Sequence, residues 1–481
     1  MAGAGEDAER PGYAELVAGL AAANARVAEL EALVAELRAK LGKNSRNSSK
    51  PPSSDGLSKP PVNKDRSLRR RSGRRPGGQE GHEGAHLERV EVPDKEIGHD
   101  PEGSCEECGR DLADAELLEG GERRQVFDLP ERIVMRVVEH VARVRRCVGC
   151  GRVHVGRFPE SVKAPAQYGE RIKALGVYLH VFQHIPYERA CQLLLDLAGV
   201  EISTGTIKAW VDRAAAGLTA FDEELRKLLI CEPVVGLDET GARIAGRLRW
   251  VHVACTENLT RYSVHEKRGR QAMDDAGVLP DFDGIALHDG YASYATYQQA
   301  RHALCGAHHL RELIGAQETG EVWAAGMGCL LLDTHEAVEE AKAAGRDALS
   351  EDALAELHDC YRELIAMGHE EHPGLAESAG RRMKRSDPEN LLLRLDAKEQ
   401  EALRFAHDFR VSFTNNLSER DLRMTKLQIK ISGCWRTMEG AERFLAVRSY
   451  ISTARKQGHR PLDVLGKLTA GQPWLPAAAE T

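Results

Sequence analysis

The sequence of 481 residues contains no apolar run of 18 residues, and it does not begin with basic residues followed by an apolar segment. A transmembrane helix and a secretory signal are therefore not expected, and we predict a soluble cytoplasmic protein with no membrane partner. The 11 cysteines are an odd number, and seven of them are scattered along the chain. This pattern favours a reducing compartment over a disulfide framework.

An excess of positive charge is also absent, because the formal net charge is −8. The whole surface is thus poorly suited to nonspecific polyanion binding, and any affinity for nucleic acid would come from local basic clusters. A chain of this length exceeds what one hydrophobic core normally holds. We therefore predict a multi-domain α/β protein with roughly two to four domains.

Residues 13–41 carry a heptad pattern. Apolar residues recur every seven positions in two sets that lie four places apart: Leu16, Ala23, Leu30 and Leu37, and Leu20, Val27, Val34 and Leu41. Such a seam predicts a coiled coil, through which the chain would form a homo-oligomer. The alternative is an amphipathic helix that packs on the chain's own body. Gly42 ends the pattern.

Residues 42–86 have the composition of a basic disordered linker. Between Lys43 and Arg75 there are 11 Lys or Arg residues and two Asp residues. So few apolar side chains cannot offset the entropy of ordering the segment. A solvated tether is one interpretation, and binding of DNA phosphates is the other. The candidate DNA-binding residues are Arg69, Arg70, Arg71, Arg74 and Arg75.

Residues 87–165 contain two Cys-x-x-Cys-Gly motifs, which are the strongest local signal in the chain. Their four thiolates, from Cys105, Cys108, Cys147 and Cys150, can bind one Zn²⁺ in a tetrahedral array. The alternating residues 133–144 are expected to form a hairpin strand that brings the motifs together. Independent or redox-active thiols are the alternative.

Residues 166–230 have helical periodicity. Pro186 is expected to open a second helix, and Ser203 or Thr204 is expected to cap a third helix that carries Lys208. Two helices, a Gly-containing turn and a further helix are typical of a helix-turn-helix, so Lys208 is a candidate DNA contact. A purely structural helical connector is the alternative.

Residues 231–311 and 411–466 are predicted to form a ribonuclease H-like catalytic core. Three consecutive strands near 233–238, 248–255 and 259–264 precede helices near 268–278 and 292–299, which alternate with strands at 284–288 and 301–305. Asp238 then lies on the first strand and Asp289 just after the fourth. Glu419 falls in the first turn of a later helix.

The three carboxylates are the predicted catalytic residues. If they lay within about 4 Å of one another they would repel by roughly 4 kcal/mol per pair, so the cluster would need cations. Oxygen ligands select Mg²⁺ or Mn²⁺. Basic residues that follow Glu419 are candidate DNA contacts: Arg420, Arg423, Lys426 and Lys430.

Four further residues are candidates for supporting this site. Cys305 and His308 have a spacing compatible with a metal, although packing support is the preferred interpretation. Asn415 and Asn416 are cap-type residues ahead of the helix that carries Glu419. Residues 312–410 are rich in Ala, Glu and Leu and are predicted to form a helical insertion in the core.

The order of these motifs resembles the insertion-sequence 66 family of bacterial DDE transposases, from about residue 16 to residue 466. The resemblance implies a catalytic triad of Asp238, Asp289 and Glu419, a four-cysteine zinc element and a helical insertion. Thr414 departs from the family pattern, in which an acidic residue often stands before the Asn pair.

We therefore predict a nucleoid-associated transposase that cleaves and joins DNA, using Mg²⁺ (or Mn²⁺) at the triad and Zn²⁺ at the cysteines. Its expected partners are the element's ends, target DNA, further copies of the chain and accessory proteins. Two alternatives remain. One is a zinc and helix-turn-helix DNA-binding regulator without catalysis, and the other is a ribonuclease H-like nuclease that cuts without joining.

Overall fold

The structure is a computed structural model that describes residues 13–44, 46–48, 87–100, 102–116, 118, 122–130, 133–373, 375 and 385–477. The predicted DNA contacts Arg69, Arg70, Arg71, Arg74 and Arg75 lie outside these residues. Two compact units are defined: Met1–Arg69, His140–Gln192 and Ile202–Thr481 form the first, and Arg70–Glu139 and Leu193–Glu201 form the second. In the described ranges, none of the helices combines the length and apolar character that spanning a membrane requires.

The N-terminal heptad segment forms one continuous helix, α1, at Tyr13–Gly42, which ends at the predicted glycine. The heptad positions whose side chains are described are exposed, including Leu30 and Leu37 at 47% and 48%. The described residues that follow α1 belong to the predicted linker 42–86 and bond to other residues of the first unit. Lys43 forms an ion pair with Asp387, and Asn47 donates a hydrogen bond to Glu318 over 2.7 Å.

The predicted strand at 133–144 is absent apart from its last residue. Residues 133–143 have no regular secondary structure, because no neighbouring strand pairs with them within the described chain. Two short strands, β1 (Val144–Arg146) and β2 (Val153–Val155), instead form an antiparallel hairpin.

The predicted helical region is confirmed. It consists of α2 (Glu170–Val177), a π-helical turn (Tyr178–Phe182), α3 (Tyr187–Ala198), α4 (Thr204–Ala216) and α5 (Thr219–Cys231). Ser203 is the N-cap of α4, and its hydroxyl accepts a hydrogen bond from the Thr206 N–H over 3.2 Å. Trp210 of α4 packs so closely on Gly176 of α2 that a Cβ there would lie 2.7 Å from its ring.

A mixed five-stranded sheet lies at the centre of the first unit, in the order β5-β4-β3-β6-β7. Its strands are β3 (Val234–Ile244), β4 (Arg247–Cys255), β5 (Thr260–His265), β6 (Ile285–His288) and β7 (Arg301–Leu304). The first three are antiparallel, whereas β3, β6 and β7 run parallel. The turn between β3 and β4 has two left-handed residues, Ala245 and Gly246, which suit a tight hairpin.

The strand predictions are confirmed to within a few residues, except that β3 runs to Ile244 rather than stopping at residue 238. The helix predicted at 268–278 is α6 (Arg270–Ala276). The helix predicted at 292–299 contracts to a single 3₁₀ turn at Tyr294–Thr296.

The insertion is helical, as predicted. Its helices are α7 (Gly306–Glu318), α8 (Val322–Ala343), α9 (Glu351–Glu371), α10 (Asp387–Ala397), α11 (Glu399–Ala402) and α12 (Arg404–His407). Trp323 and Tyr361 lie in the same buried cluster as Ile285 and Leu287 of β6. The insertion therefore extends the core of the sheet rather than building a separate one.

Three helices complete the unit: α13 (Asn416–Ser432), α14 (Met438–Lys456) and α15 (Pro461–Thr469). Helix α14 covers the outer edge of β5. The hydroxyl oxygens of Thr453 and Ser449 accept hydrogen bonds from the N–H groups of Thr260 and Tyr262, over 3.1 and 2.9 Å. These bonds satisfy an edge that would otherwise present unpaired backbone groups.

Candidate active site

Asp238 and Asp289 lie at the same level on neighbouring parallel strands. The register pairs Gly236 of β3 with Leu287 of β6, and each aspartate follows two residues later. Both are half-buried. The Glu239 N–H donates to Asp238 over 2.8 Å, and the Tyr291 N–H donates to Asp289 over 2.9 Å. The parallel pairing thus brings two carboxylates to one end of the sheet.

The pKa of Asp238 reflects the burial of its carboxylate and the charges around it. Its pKa is raised well above the usual aspartate value, first by burial and then by the negative charges of Glu239, Asp289 and Glu419. The hydrogen bond from the Glu239 N–H opposes this shift. Glu419 therefore lies near enough to Asp238 to repel it, although it is 181 residues away in the sequence.

Glu419 lies in the first turn of α13, where the cap-type residues predicted it. Arg311 approaches its Oε1 atom at 3.3 Å, and His308 Nδ1 lies 3.8 Å from the same oxygen. Among the described residues, the one set of three metal-type ligands within 4.8 Å of each other is Cys305, His308 and Glu419. The three predicted carboxylates are therefore spaced more widely than the tight cluster that we expected.

Asn415 fixes the start of α13 against the strand that carries Asp238. Its side-chain amide donates to the Leu237 carbonyl over 2.7 Å, and its Oδ1 accepts a hydrogen bond from Ser418 over 2.7 Å. Gly236 makes this approach possible, because a Cβ there would lie 2.5 Å from the Ser418 hydroxyl. Asn415 thus has a positioning role. Asn416 is exposed to solvent.

Asp421 anchors α13 to β5 and to α14. Its carboxylate accepts hydrogen bonds from Lys456 and from the Thr260 hydroxyl, both over 2.8 Å. Lys456 also donates to the Thr256 and Leu259 carbonyls. Lys456 and Asp421 are each only 13% exposed. This ion pair therefore helps to set the orientation in which α13 presents Glu419.

Lys456→Met should destabilise the fold by about 3 kcal/mol, because it leaves the Asp421 carboxylate buried without its cation. Urea unfolding would measure the change. The double variant Asp421→Asn/Lys456→Met should lose less than the two single losses combined, since the residues interact directly. Lys227→Met, in an exposed pair with Glu224, is the control and should cost under about 1 kcal/mol. Equal losses in Lys456→Met and the control would contradict this role.

A second group of residues, which the sequence did not indicate, lies beside Asp238. Glu239 points to the other face of β3, where Arg268 contacts it at 2.7 Å and the Tyr294 hydroxyl donates to it over 2.6 Å. The Arg268 guanidinium also lies over the rings of Tyr291 and Trp250, at 4.0 and 4.9 Å. Only the position of Glu239 next to Asp238 was a sequence signal. Arg268 is 29 residues away and carries none.

A chain of histidines supports the backbone around Asp289. His302 Nε2 lies 3.1 Å from the Tyr297 carbonyl and must donate to it, so its Nδ1 accepts from His288 Nε2 over 3.0 Å. His288 Nδ1 is then free to accept the Gly290 N–H over 3.0 Å. Burial lowers the pKa of both imidazoles, which keeps them neutral, as this pattern requires. The histidines thereby hold the turn that follows β6.

The predicted basic residues extend from the site along α13. Arg423, Lys426 and Lys430 stand four, seven and eleven residues after Glu419, so they share its helical face. Arg420, Arg423 and Lys430 are exposed and Lys426 is half-buried. Lys208, on α4, is exposed and forms an ion pair with Asp212 at 2.6 Å.

The two Cys-x-x-Cys motifs adopt the same local turn. In each, the N–H of the closing glycine, Gly109 or Gly151, donates to the carbonyl of the first cysteine over 2.8 Å, and the glycine has positive φ. Backbone N–H groups of the motif lower the pKa of Cys105 and of Cys147. Each turn is thus arranged to favour thiolates, the form that binds metal.

These observations describe a mixed α/β protein in which Asp238, on β3, lies beside Asp289, which directly follows the parallel strand β6. The chain belongs to the IS66 transposase family, because the model of that family matches residues 165–443, more than half of the chain. Residues 7–88 match a family of unknown function. The chain is 24% identical over 360 residues to the uncharacterized protein y4jD of Sinorhizobium fredii, a match that covers 64% of this chain and 65% of that protein.

Proposed function

We propose that this protein is a DDE transposase that cleaves DNA strands at the ends of an insertion sequence and transfers them to target DNA. The observation that supports the proposal is that the charges of Asp289 and Glu419 raise the pKa of Asp238, as carboxylates that share one site would. Family membership supports the same activity.

The strand order supports a ribonuclease H-like core. Numbered by their occurrence in the sheet, the strands lie in the order 3-2-1-4-5, with the first three antiparallel and the last two parallel to the first. Asp238 is on the central strand and Asp289 follows its parallel neighbour. This placement supports the proposal of a ribonuclease H-like catalytic core.

The residues present fit a divalent cation. Asp238, Asp289 and Glu419 offer only carboxylate oxygens, the ligands that Mg²⁺ and Mn²⁺ prefer, and their mutual repulsion would be relieved by a cation. The ions would supply Lewis-acid activation of water and of the scissile phosphodiester. Asn415 and Asp421 keep α13 against the sheet, so that Glu419 can act together with the aspartates.

The basic face of α13 would bind the DNA backbone next to this site. From Glu419 to Lys430 the helix rises about 16 Å, enough to follow several phosphates along one strand. We therefore assign Arg423, Lys426 and Lys430 to the sugar-phosphate backbone rather than to base recognition. Arg420 and Lys208 remain predicted DNA contacts.

Replacing Arg423, Lys426 and Lys430 together with Gln should weaken DNA binding and lower its salt dependence. Each phosphate contact contributes about 0.9 to the slope of log K against log salt, so a loss of roughly 3 is expected. Titrations at several salt concentrations would measure it. Lys227→Gln, which alters an exposed lysine of α5, is the control and should leave the slope unchanged. An unaltered slope in the triple variant would remove this face from the DNA interface.

The cysteine motifs are proposed to bind Zn²⁺. Each supplies two thiols on a turn whose N–H groups stabilise the thiolate form. The role assigned to them is structural, since zinc held by thiolates alone has no open position for a substrate.

Helix α1 is proposed to join copies of the chain, because its apolar seam is exposed. Replacing Leu30 and Leu37 with Asp should therefore shift the protein to a smaller assembly, measured by sedimentation or light scattering. Ala25→Asp, on the opposite side of the helix, should not. Retention of the original mass by the seam variant would show that α1 is not the oligomerisation element.

The deciding experiment incubates the purified protein with Mg²⁺ and DNA that carries the element's ends. Cleaved ends and joined target products support the transposase. Specific binding without cleavage under these conditions would favour a DNA-binding regulator. Cleavage without joined products would favour a nuclease.

A further inference from the structure

A second ligand set shares Glu419 with the proposed catalytic triad. Cys305 is the single residue between β7 and α7, His308 lies in the first turn of α7, and Glu419 lies in the first turn of α13. Their ligand atoms are all within 4.8 Å of one another. This set consists of a thiol, an imidazole and a carboxylate, whereas the triad consists of three carboxylates.

The distance between two ligand atoms of the set is close to that around a tetrahedral ion. Zinc bonds of about 2.0–2.3 Å place neighbouring ligand atoms roughly 3.3–3.8 Å apart. His308 Nδ1 and Glu419 Oε1 are 3.8 Å apart, too far for a hydrogen bond. The His308 Nδ1 atom is buried and makes no hydrogen bond with any described residue. A buried ring nitrogen without a partner, beside a carboxylate and a thiol, is accounted for by a bound cation.

The sulfur is also arranged as a ligand. Cys305 is 1% exposed, and the Asn415 backbone N–H donates to its Sγ atom over 3.1 Å. A hydrogen bond of this kind stabilises a coordinated thiolate and fixes its direction. Asn415 is also hydrogen-bonded to Leu237 and Ser418. The start of α13 therefore links Cys305 to the strand that carries Asp238.

We propose that Cys305, His308 and Glu419 form a binding site for a thiophilic divalent ion such as Zn²⁺, and that its occupation inhibits DNA cleavage by withdrawing Glu419 from the triad. Thiolate and imidazole ligands favour Zn²⁺ over Mg²⁺. The inhibitory consequence rests on the proposed function, whereas the binding site does not.

Arg311 would compete with the bound ion for the Glu419 carboxylate. Its guanidinium lies 3.3 Å from the same Glu419 oxygen and is held by the Ala307 carbonyl over 3.1 Å. Without a metal ion, Arg311 supplies the positive charge that faces Glu419. A bound Zn²⁺ would replace that contact, so removal of the arginine charge should tighten zinc binding.

The test measures zinc bound per full-length chain by equilibrium dialysis. Cys305→Ser and His308→Gln should each bind one equivalent less than the unaltered protein at the same free zinc concentration, and Arg311→Gln should bind zinc at least several-fold more tightly. Cys329→Ser, which alters an exposed cysteine of α8, is the matched control and should bind the full amount. Zinc held by the other cysteine motifs contributes equally to all of these proteins.

Glu419→Gln separates the loss of a zinc ligand from misfolding. It is expected to fold, since Glu419 is 29% exposed and its replacement is nearly isosteric. A folded Glu419→Gln protein that binds zinc several-fold more weakly supports the site. Unchanged zinc binding in this variant, or in Cys305→Ser, overturns it.

In cleavage assays, micromolar zinc should inhibit the unaltered protein more than Cys305→Ser, each compared with its own rate without zinc. If the variants lose zinc binding but the unaltered protein does not cleave DNA, the proposed function is contradicted and the metal site is still supported.

Discussion

Asp238→Asn, Asp289→Asn and Glu419→Gln should each lower the rate of Mg²⁺-dependent strand cleavage by on the order of a hundred- to a thousandfold. Each removes one negative charge from the proposed metal-binding site, and a bound metal ion is worth several kcal/mol of transition-state stabilisation. DNA binding should survive, because the phosphate contacts assigned to α13 remain. Gel assays of cleaved ends and binding titrations on the same DNA would separate the two effects.

Asp283→Asn is the matched control, since it alters an exposed aspartate just before β6. Its cleavage rate should equal that of the unaltered protein. If one of the three variants keeps its cleavage rate, that residue does not belong to the catalytic set.

Asp238→Asn should also raise the free energy of unfolding at neutral pH. The pKa of Asp238 is higher in the folded state than in an exposed aspartate, so ionisation of this group opposes folding. The penalty is absent below the ordinary aspartate pKa and grows as the pH rises from there towards the folded-state pKa. A variant that is more stable but inactive is the expected result for a strained acidic site.

Gly236→Ala is the second substitution with a large expected effect. The new methyl group would lie 2.5 Å from the Ser418 hydroxyl and 3.0 Å from Asn415 Oδ1, both of which are buried. Overpacking of this kind costs about 1–3 kcal/mol. Because the clash pushes α13 away from β3, cleavage should fall further than the loss of stability explains. Urea unfolding and the cleavage rate would be measured together.

The same strand offers a matched control. The atom nearest to a Cβ at Gly241 would be the tip of Leu248, an exposed and flexible side chain, so Gly241→Ala should be mild. Adding Ser418→Ala to Gly236→Ala removes the closest contact and should restore part of the activity. Full activity in Gly236→Ala would mean that the contact between β3 and α13 does not position Glu419.

Much of the fold could be predicted from local patterns. The apolar runs around 233–264 and 284–288 gave the strands, the heptads gave α1, and Ser203 marked the start of α4. The strand at 133–144 was wrong, because alternation shows that residues could form a strand but does not supply a partner. Local patterns also gave no sign that Lys43 and Asn47 bond to residues that are far away in the sequence.

The candidate site, too, could be predicted only in part from local patterns. The motifs around Asp238, Asp289 and Glu419 are short and visible in the sequence. Arg268, Arg311 and Lys456 have no such signal, because each matters only through a partner on another element. Cys305 and His308 were noted as a pair, but a pair of ligands does not define a metal site.

The sequence by itself determined the order of helices and strands, the acidic positions, the cysteine motifs and the basic face of α13. These follow from periodicity and spacing, which act between near neighbours along the chain. Only the tertiary structure decided that Glu419 stands between two ligand sets, facing Cys305, His308 and Arg311 while its charge still reaches Asp238. Contacts between residues more than a hundred positions apart depend on the close packing of α13 and α7 against the sheet, which no local pattern contains.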